Sequence, residues 1–385
     1  PPEGSLEIYG LRGVVTGEID QEPLDAGRIR AEAGRIVEIG GTPGAADVVI
    51  DARGAFACPG LIDTHCHVVF GDYTPRQNAI GFLESYMHGG VTQVMSASEV
   101  HLPGRPTDRE GIKALALAAQ RAFSAFRPGG VKVRAGSIIC EPTLREEDFP
   151  ELAGLGVRYM KMGFGVFTDP ADAAHLVAAA RRAGLVVMSH TGGASIPGSS
   201  PITADHLLRL QPDIAGHVNG GTTSIPDEYV TRLVRDSSMY LQIVQAGNLR
   251  SALVVLREAR EEGALDRVIL GTDTPSGTGV MPLGMIKSVA ELASLGSLPA
   301  WQALALATGN AARAIRMEGG GLAPGGPADL VLLQEPYGGT RGDPLAALEI
   351  GIPGIAGVVI DGQIRALRSR NTPAPAREVT VETGG

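Results

Sequence analysis

The sequence predicts an α/β fold: a (β/α)8 TIM barrel with a small β-sandwich built from both ends of the chain. Apolar, β-branched runs alternate with helical stretches through the middle of the chain, whereas both ends carry short strands separated by glycine turns. The length of 385 residues also suits one barrel of roughly 250 residues with a smaller unit beside it. We therefore place the sandwich at residues 1–57 and 320–385, and the barrel at residues 58–319.

The predicted sandwich strands are short, alternating and bounded by turn residues. At the N-terminal end they are Leu6–Tyr9, Arg28–Glu32, Arg35–Ile39 and Asp47–Ile50, with a hairpin turn between the second and the third. At the C-terminal end they are Ala328–Leu333 and Gly357–Ile364. The similar style of the two ends indicates that they build one sandwich together.

The predicted barrel contains eight strands, with helical stretches such as Gly111–Phe123 and Pro170–Arg182 between them. The strands are Leu61–Val68, Val91–Ser96, Val131–Ile139, Val157–Met162, Val186–His190, Ile214–Val218, Tyr240–Val244 and Val268–Gly271. Eight such units with no strand left over favour a closed barrel over an open sheet.

Composition excludes several classes of partner. A net charge of -9 with no basic run argues against nucleic acid and anionic membranes. No apolar run reaches the roughly 18 residues of a membrane helix, and the first residues lack the pattern of a secretory signal. The cysteines, Cys58, Cys66 and Cys140, are too few and too scattered for a disulfide framework. We therefore expect a cytoplasmic protein that binds neither nucleic acid nor membrane.

The most informative motif is an apolar run that ends in His65-Cys66-His67. Because successive side chains of a strand alternate, His65 and His67 should project to one face and Cys66 to the other. Two imidazoles at the end of a buried strand form half of a metal site. The remaining donors are expected at the ends of later strands, where such barrels build their active sites.

Metal-type side chains do end four later strands, the fourth, fifth, sixth and eighth: Lys161, His190, His217 and Asp273. Taken singly, each has an ordinary interpretation. A strand histidine is commonly a hydrogen-bonded core residue, and an aspartate after a strand is commonly a helix N-cap or a turn former. Their joint placement at strand ends favours a metal centre instead, and nitrogen and oxygen donors suit zinc-like divalent ions.

Lys161 lies between Met160 and Met162 on a strand that should be buried. A protonated lysine is unfavourable there unless it is paired or neutralised. One interpretation pairs the ammonium group with a carboxylate at the end of the strand. The other converts the amine with carbon dioxide into a carbamate, N6-carboxylysine, that bridges two metals. Without that bridge, one metal is expected.

These residues resemble the amidohydrolase superfamily, whose barrel carries a His-x-His pair, a bridging lysine or glutamate, two more histidines and a late aspartate. Within the superfamily, several loops resemble those of enzymes that open cyclic enamides. The segments are Gly71–Gln77, Pro103–Pro106, His190–Ser200, Gly216–Gly221, Asp273–Gly279 and Ser369–Pro373.

The resemblance implies a binuclear centre of two divalent metals, with zinc at both positions or iron at one of them. It assigns the ligands in three groups: His65 and His67 with Asp273 on the more buried metal, His190 and His217 on the outer one, and carbamylated Lys161 on both. Asp273 would also be catalytic, because it would take the proton of the attacking water and return it to the leaving nitrogen.

Substrate contacts are predicted on the loops at the same end of the barrel. Arg76, beside Tyr73, could hold a substrate carboxylate through two hydrogen bonds, and Arg105 is a second candidate. Backbone N–H groups around Thr191 and Ser195 could line the pocket. The alternatives are surface arginines and a simple tight turn.

The resemblance implies three candidate functions. The favoured one is hydrolysis of the C–N bond of a small cyclic amide or enamide, of the 6-oxo-tetrahydronicotinate type, by metal-activated hydroxide. The second is a mononuclear deaminase of a heterocycle, which would not need the bridge that Lys161 supplies. The third is a non-catalytic assembly protein on the same scaffold, whose mark would be lost metal ligands. The resemblance further implies a homo-oligomer, with a tetramer as the expected assembly.

Overall fold

The computed structural model describes residues 4–68, 76–98, 105–194, 198–221, 223–275 and 281–383, with the backbone alone described for residues 76–80. Short strands precede the barrel. They are β1 (Ser5–Tyr9), β2 (Gly13–Val14), β3 (Arg28–Glu32), β4 (Arg35–Ile39), β5 (Val48–Asp51) and β6 (Phe56–Pro59).

The barrel strands come next, and neighbours along the chain pair in parallel, except β9 with β10. They are β7 (Leu61–Cys66), β8 (Val91–Ser96), β9 (Lys132–Arg134), β10 (Ser137–Ile139), β11 (Tyr159–Met162), β12 (Val186–Ser189), β13 (Ile214–Ala215), β14 (Tyr240–Val244) and β15 (Val268–Gly271). The pairing orders are β7-β8-β9 and β10-β11-β12-β13-β14-β15. Strands β9 and β10 both lie on the predicted third strand, which is interrupted where Gly136 adopts a φ of 94°.

The barrel closes between β15 and β7. The Asp273 N–H donates to the carbonyl of His65 at 2.7 Å, and the His67 N–H donates to the carbonyl of Thr274 at 2.9 Å. Cys66 and Thr274 form a parallel bridge at the same seam. The predicted barrel is therefore confirmed, and its closing seam carries both histidines of the His-x-His motif.

The described helices surround the strands. They are α1 (Arg76–His88), α2 (Arg109–Ala125), α3 (Asp148–Gly154), α4 (Ala174–Arg182), α5 (Ala204–Leu210), α6 (Asp227–Asp236), α7 (Leu249–Glu261), α8 (Gly284–Gly296), α9 (Ala300–Leu306), α10 (Gly309–Ala314) and α11 (Pro344–Leu348). Short 3-10 turns occupy Pro128–Gly130, Pro170–Ala173 and Leu265–Arg267. Among the described helices, none combines the length and the apolar character needed to cross a bilayer.

Helix α2 illustrates why these segments fold as they do. Asp108 caps its N-terminus by accepting a hydrogen bond from the Gly111 N–H at 2.8 Å. The helix buries one stripe of side chains at a helical spacing: Ile112, Ala116, Ala119 and Phe123. Burial of that stripe against the sheet stabilises the helix in the outer layer of the barrel.

The N-terminal end of the barrel interior is filled with apolar side chains. Ile62, Met188 and Ile269 belong to one buried cluster with Ala311 and Ile315, which come from α10 and its C-cap. The Ile62 N–H donates to Ala307 O at 2.8 Å, next to that helix. Because this end is closed by packing, the polar side chains of the strands collect at the other end.

The remaining strands are β16 (Leu330–Gln334), β17 (Gly354–Ile360), β18 (Gln363–Ala366) and β19 (Thr380–Thr383). The two ends of the chain share two five-stranded sheets, with the orders β19-β5-β1-β3-β4 and β18-β17-β16-β6-β2. Leu330 and Leu332 of β16 join a core with the first sheet, whereas Val331 and Leu333 join the core of the barrel. The second sheet is thus covered on both faces, and the first four residues of β16 form a continuous apolar run.

The sixth barrel strand is much shorter than predicted. The sixth was predicted at Ile214–Val218, but β13 ends at Ala215. The reason lies in the next two residues: the Gly216 N–H donates to Ser189 O at 2.7 Å, and His217 adopts a left-handed φ of 36°. The chain therefore turns at the position where His217 presents its ring.

Candidate metal centre

The first strand is irregular just before its histidines. The pairing of β7 with β8 changes register between Asp63 and Cys66, and Asp63 Oδ1 accepts the His65 N–H at 3.0 Å. Such an irregularity re-aims the side chains that follow it. Despite it, His65 and His67 point to the same place: their Nε2 atoms lie 3.3 Å and 3.0 Å from one carboxylate oxygen, Oδ1 of Asp273.

Asp273 follows the end of β15 in a left-handed conformation, with φ at 57°. This conformation is uncommon for a residue with a side chain, and Asp is one of the types that tolerate it. The ligand atoms of His65, His67 and Asp273 lie within 4.8 Å of one another. The structure thus brings together the three residues predicted for the more buried metal.

His190 and His217 form the second histidine group. His190 Nδ1 lies 3.0 Å from His217 Nε2, and His190 Nε2 lies 2.6 Å from the carbonyl of Gly193. Because a carbonyl only accepts, the proton of neutral His190 is on Nε2, and its Nδ1 presents a lone pair. The His65 and His217 ring centroids are 5.4 Å apart, so the two histidine groups are neighbours.

Lys161 is completely buried on β11. Its Nζ lies 3.4 Å from His65 Nε2, 3.5 Å from Met188 Sδ and 5.7 Å from the centre of the Phe164 ring. Within the described part of the chain, no carboxylate lies within 4.0 Å of this amine. The interpretation as an ordinary buried ion pair is therefore not what the structure describes.

Burial sets the charge states of the cluster. It lowers the pKa of His65 and His217 well below the ordinary value and that of His190 to about 4, so these imidazoles are neutral. It also lowers the pKa of Lys161 to about 8. Burial alone would raise the pKa of Asp273, but the interactions with His65 and His67 outweigh it and hold that pKa well below its usual range. The cluster thus combines neutral imidazoles with an ionised carboxylate.

Gln242, in the middle of β14, is a site residue that the sequence analysis missed. Its Oε1 lies 2.6 Å from His65 Nδ1 and accepts the His217 N–H at 3.1 Å. Its Nε2 donates to Thr64 Oγ1 at 2.7 Å and to Thr64 O at 3.2 Å. The sequence did contain one signal for this role: a glutamine within an apolar strand that carries no metal-type residue.

These donors fit a divalent metal ion. With Nδ1 of His65 facing the Gln242 oxygen, the Nε2 lone pair of His65 is directed at the Asp273 carboxylate. Two electron-rich atoms 3.3 Å apart repel each other, and a cation bound by both atoms would remove this repulsion. Neutral imidazole nitrogen and carboxylate oxygen are also the ligands that zinc-like ions bind.

Glycine is required beside the histidines. A Cβ at Gly163 would lie 2.2 Å from the Cβ of His190, and Gly163 also adopts a φ of 125°. At the seam of the barrel, a Cβ at Gly271 would lie 2.7 Å from the Cβ of His65. The positions of both histidine groups therefore depend on neighbouring glycines, which have no Cβ atom to displace the histidines.

We expect Gly163→Ala to reduce both metal content and thermal stability, because the added methyl group displaces His190 as well as straining the backbone. Gly184→Ala is the matched control, since Gly184 also has a positive φ, of 89°, but nothing lies within 4 Å of its Cβ position. Strain alone costs on the order of 1–3 kcal/mol, so both variants should melt earlier, and only Gly163→Ala should lose metal. Equal metal content in the two variants would contradict this prediction.

The predicted substrate contacts have different outcomes. The side chain of Arg105 is only 6% exposed, forms a close ion pair with Glu141, and donates to Phe164 O at 2.6 Å. Glu141 thus holds the guanidinium that was predicted to receive a substrate carboxylate, and the substrate contact of Arg105 stays a prediction. Thr191 is buried next to His190. Tyr73, Ser195 and the side chain of Arg76 lie outside the described residues.

Comparisons with known proteins agree with this architecture. The sequence profile of the amidohydrolase family matches residues 56–365. Enamidase from Eubacterium barkeri is 42% identical over 380 residues, which make up 97% of this chain and 98% of that protein. Adenine deaminase from Deinococcus deserti is 28% identical over 86% of this chain, but this match spans only 57% of that protein.

Solved structures give the same result. The crystal structure of enamidase superposes with a TM-score of 0.93 at 42% identity, covering 98% of this chain and all of that one. Molinate hydrolase, at 17% identity and a TM-score of 0.62 over 94% of this chain and 95% of its own, shares the fold. The profile match and the full-length identity lead to one conclusion: the chain belongs to the amidohydrolase family.

Proposed function

We propose that this amidohydrolase cleaves the C–N bond of a small cyclic amide or enamide, with a substrate of the 6-oxo-tetrahydronicotinate type. The observation that carries the proposal is the 42% identity to enamidase over 97% of the chain. The cluster at the end of the barrel strands supports it, because it contains every donor type that metal-dependent hydrolysis requires.

Members of the family generally use divalent metal ions. We assign His65, His67 and Asp273 to one ion, His190 and His217 to a second, and Lys161 to both, with zinc in both positions or iron in one. When bound, such ions lower the pKa of a water molecule towards neutrality and polarise the carbonyl of the substrate.

Lys161 would join the two halves of the centre as a carbamate. Its neutral amine attacks carbon dioxide, an N–C bond forms, and one proton leaves to solvent. The lowered pKa of about 8 supports this step, because it makes the neutral amine accessible near physiological pH. The product is an anion that can bind two cations, and it removes an ammonium charge from a site that is fully buried.

Asp273 would act as general base and then as general acid. Its carboxylate is ionised. Its side chain is 25% exposed, whereas the side chains of His65 and His67 are almost completely buried. It can therefore accept a proton from the water that attacks the amide carbon and return that proton to the nitrogen as the C–N bond breaks.

The two alternatives have less support. The adenine deaminase from Deinococcus deserti matches this chain over only 57% of its own sequence and at 28% identity. Enamidase matches over 98% of its sequence at 42% identity, so the deaminase fits less well. The non-catalytic alternative predicts lost metal ligands, whereas His65, His67, Lys161, His190, His217 and Asp273 are all present.

We also propose that the two five-stranded sheets form a β-sandwich domain of residues 1–57 and 320–385, beside a barrel domain of residues 58–319. Their mixed origin from both chain ends and their shared core support this division. We further propose a cytoplasmic homo-tetramer that acts on a small molecule, and light scattering of the purified protein tests the assembly.

The test of the function is a direct assay. The protein is prepared with zinc, with or without iron, and with bicarbonate, and it is incubated with 6-oxo-tetrahydronicotinate or with adenine. We expect loss of the enamide absorbance and a ring-opened dicarboxylic product by mass spectrometry, and no conversion of adenine. Conversion of adenine to hypoxanthine without ring opening of the enamide would establish the deaminase instead.

A further inference from the structure

Both the oxygen and the nitrogen of the Gln242 side-chain amide have hydrogen-bond partners. The residue is completely buried, and its oxygen and nitrogen serve His65, His217 and Thr64 through four contacts. His65 and Thr64 lie on the first strand of the barrel, and His217 follows the sixth, whereas Gln242 lies on the seventh. Gln242 therefore connects the strand of the His-x-His motif with the strand of the second histidine group.

The contacts settle the orientation of this amide. The backbone N–H of His217 can only donate, so the atom that faces it must be the amide oxygen. On the other side, Thr64 O can only accept, so the atom that faces it must be the amide nitrogen. A flipped amide would oppose donor to donor and acceptor to acceptor.

The orientation of Gln242 in turn settles the tautomer of His65. Because an oxygen faces His65 Nδ1 at 2.6 Å, that nitrogen must carry the proton and donate it. In a neutral imidazole the other nitrogen, Nε2, is then unprotonated. This is the atom that faces Asp273 and Lys161, at 3.3 Å and 3.4 Å.

We propose that Gln242 is a positioning residue that holds His65 with Nε2 free to bind metal and fixes it relative to His217. This inference rests on the metal centre in the proposed function and adds a residue to it. Groups that hydrogen-bond metal-ligating histidines in this way typically contribute 10- to 100-fold to metal affinity.

Two variants separate the roles of the amide. Gln242→Met keeps the length of the side chain but removes both the acceptor and the donor. Gln242→Glu keeps an acceptor for His65 and His217 and loses the donation to Thr64. Gln93→Met is the matched control, because Gln93 is equally buried on β8, and its Nε2 donates to Glu318 O at 3.2 Å, away from the cluster.

The first readout is zinc affinity by competition with a chelator. We expect Gln242→Met to bind zinc 10- to 100-fold more weakly, Gln242→Glu to retain most of the affinity, and Gln93→Met to match the wild type. The kcat of Gln242→Met should fall with little change in KM. Wild-type zinc affinity in Gln242→Met, or an equal loss in Gln93→Met, would overturn the proposal.

The second readout does not involve metal or turnover. Nitrogen NMR shifts of the apoprotein labelled in histidine report which ring nitrogen is protonated, and His65→Gln assigns the His65 signal. We expect the Nδ1–H tautomer of His65 in the wild type and in Gln242→Glu, and a tautomer mixture in Gln242→Met. An unchanged tautomer in Gln242→Met would overturn the proposal. A changed tautomer in a protein that hydrolyses no cyclic amide would uphold it while the proposed function failed.

Discussion

Asp273→Asn is expected to lose turnover by a factor of about 10³, within the range of general acid–base contributions. The amide cannot take the proton of the attacking water, and it has no proton to return to the leaving nitrogen. It also removes the charge of the oxygen that lies 3.0 Å from His67 Nε2. The measurement is kcat at saturating substrate, with metal content determined by elemental mass spectrometry on the same sample.

The control for this variant is Asp266→Asn, which changes an exposed carboxylate in the 3-10 turn Leu265–Arg267. It should keep the kcat and the metal content of the wild type. Residual activity of Asp273→Asn within tenfold of the wild type would show that another group moves the proton.

Lys161→Met is expected to lower the metal content from about two ions per chain to one or fewer, and to abolish hydrolysis, because the bridging anion of a two-metal site is lost. Lys161→Glu places a carboxylate at the same position and should recover metal binding and part of the activity. The wild type should gain activity when bicarbonate is added during preparation, and neither variant should respond to it.

The same variants test whether Lys161 is instead a structural residue. The lysine is fully buried, and no carboxylate of the described residues lies within 4.0 Å, so methionine should be tolerated without loss of apoprotein stability. Thermal unfolding of the apoproteins is the measurement. Two ions bound by Lys161→Met, or strong destabilisation without a change in metal content, would contradict the bridging role.

The strand ends of the barrel could be predicted because they combine two independent signals. Apolar β-branched runs mark the strands, and a metal-type residue lies at or just after the end of five of them. His65, His67 and Asp273 meet because parallel strands in a closed ring all end on one side. This part of the site depends on topology alone, so the sequence was sufficient.

Other features depend on contacts that no local pattern encodes. The register shift between Asp63 and Cys66 arises from pairing with β8. The role of Gln242 requires knowledge of its neighbours on two other strands, and a buried glutamine has no motif of its own. The ion pair of Arg105 with Glu141 joins residues that lie 36 positions apart in the chain. Pairings of this kind are decided by tertiary structure.

The sheet β18-β17-β16-β6-β2 is covered on both faces, and this arrangement has a consequence for biosynthesis. Strand β6 leads directly into β7, the strand of the His-x-His motif, yet β6 pairs along one side with β16, which is synthesised only after all the barrel strands. Until then, the segment next to His65 keeps an unpaired edge and an uncovered apolar face. Pairing between such distant segments is slow, and open edges of this kind promote aggregation. The segment that carries His65 and His67 therefore reaches its final packing only after all the barrel strands have been synthesised.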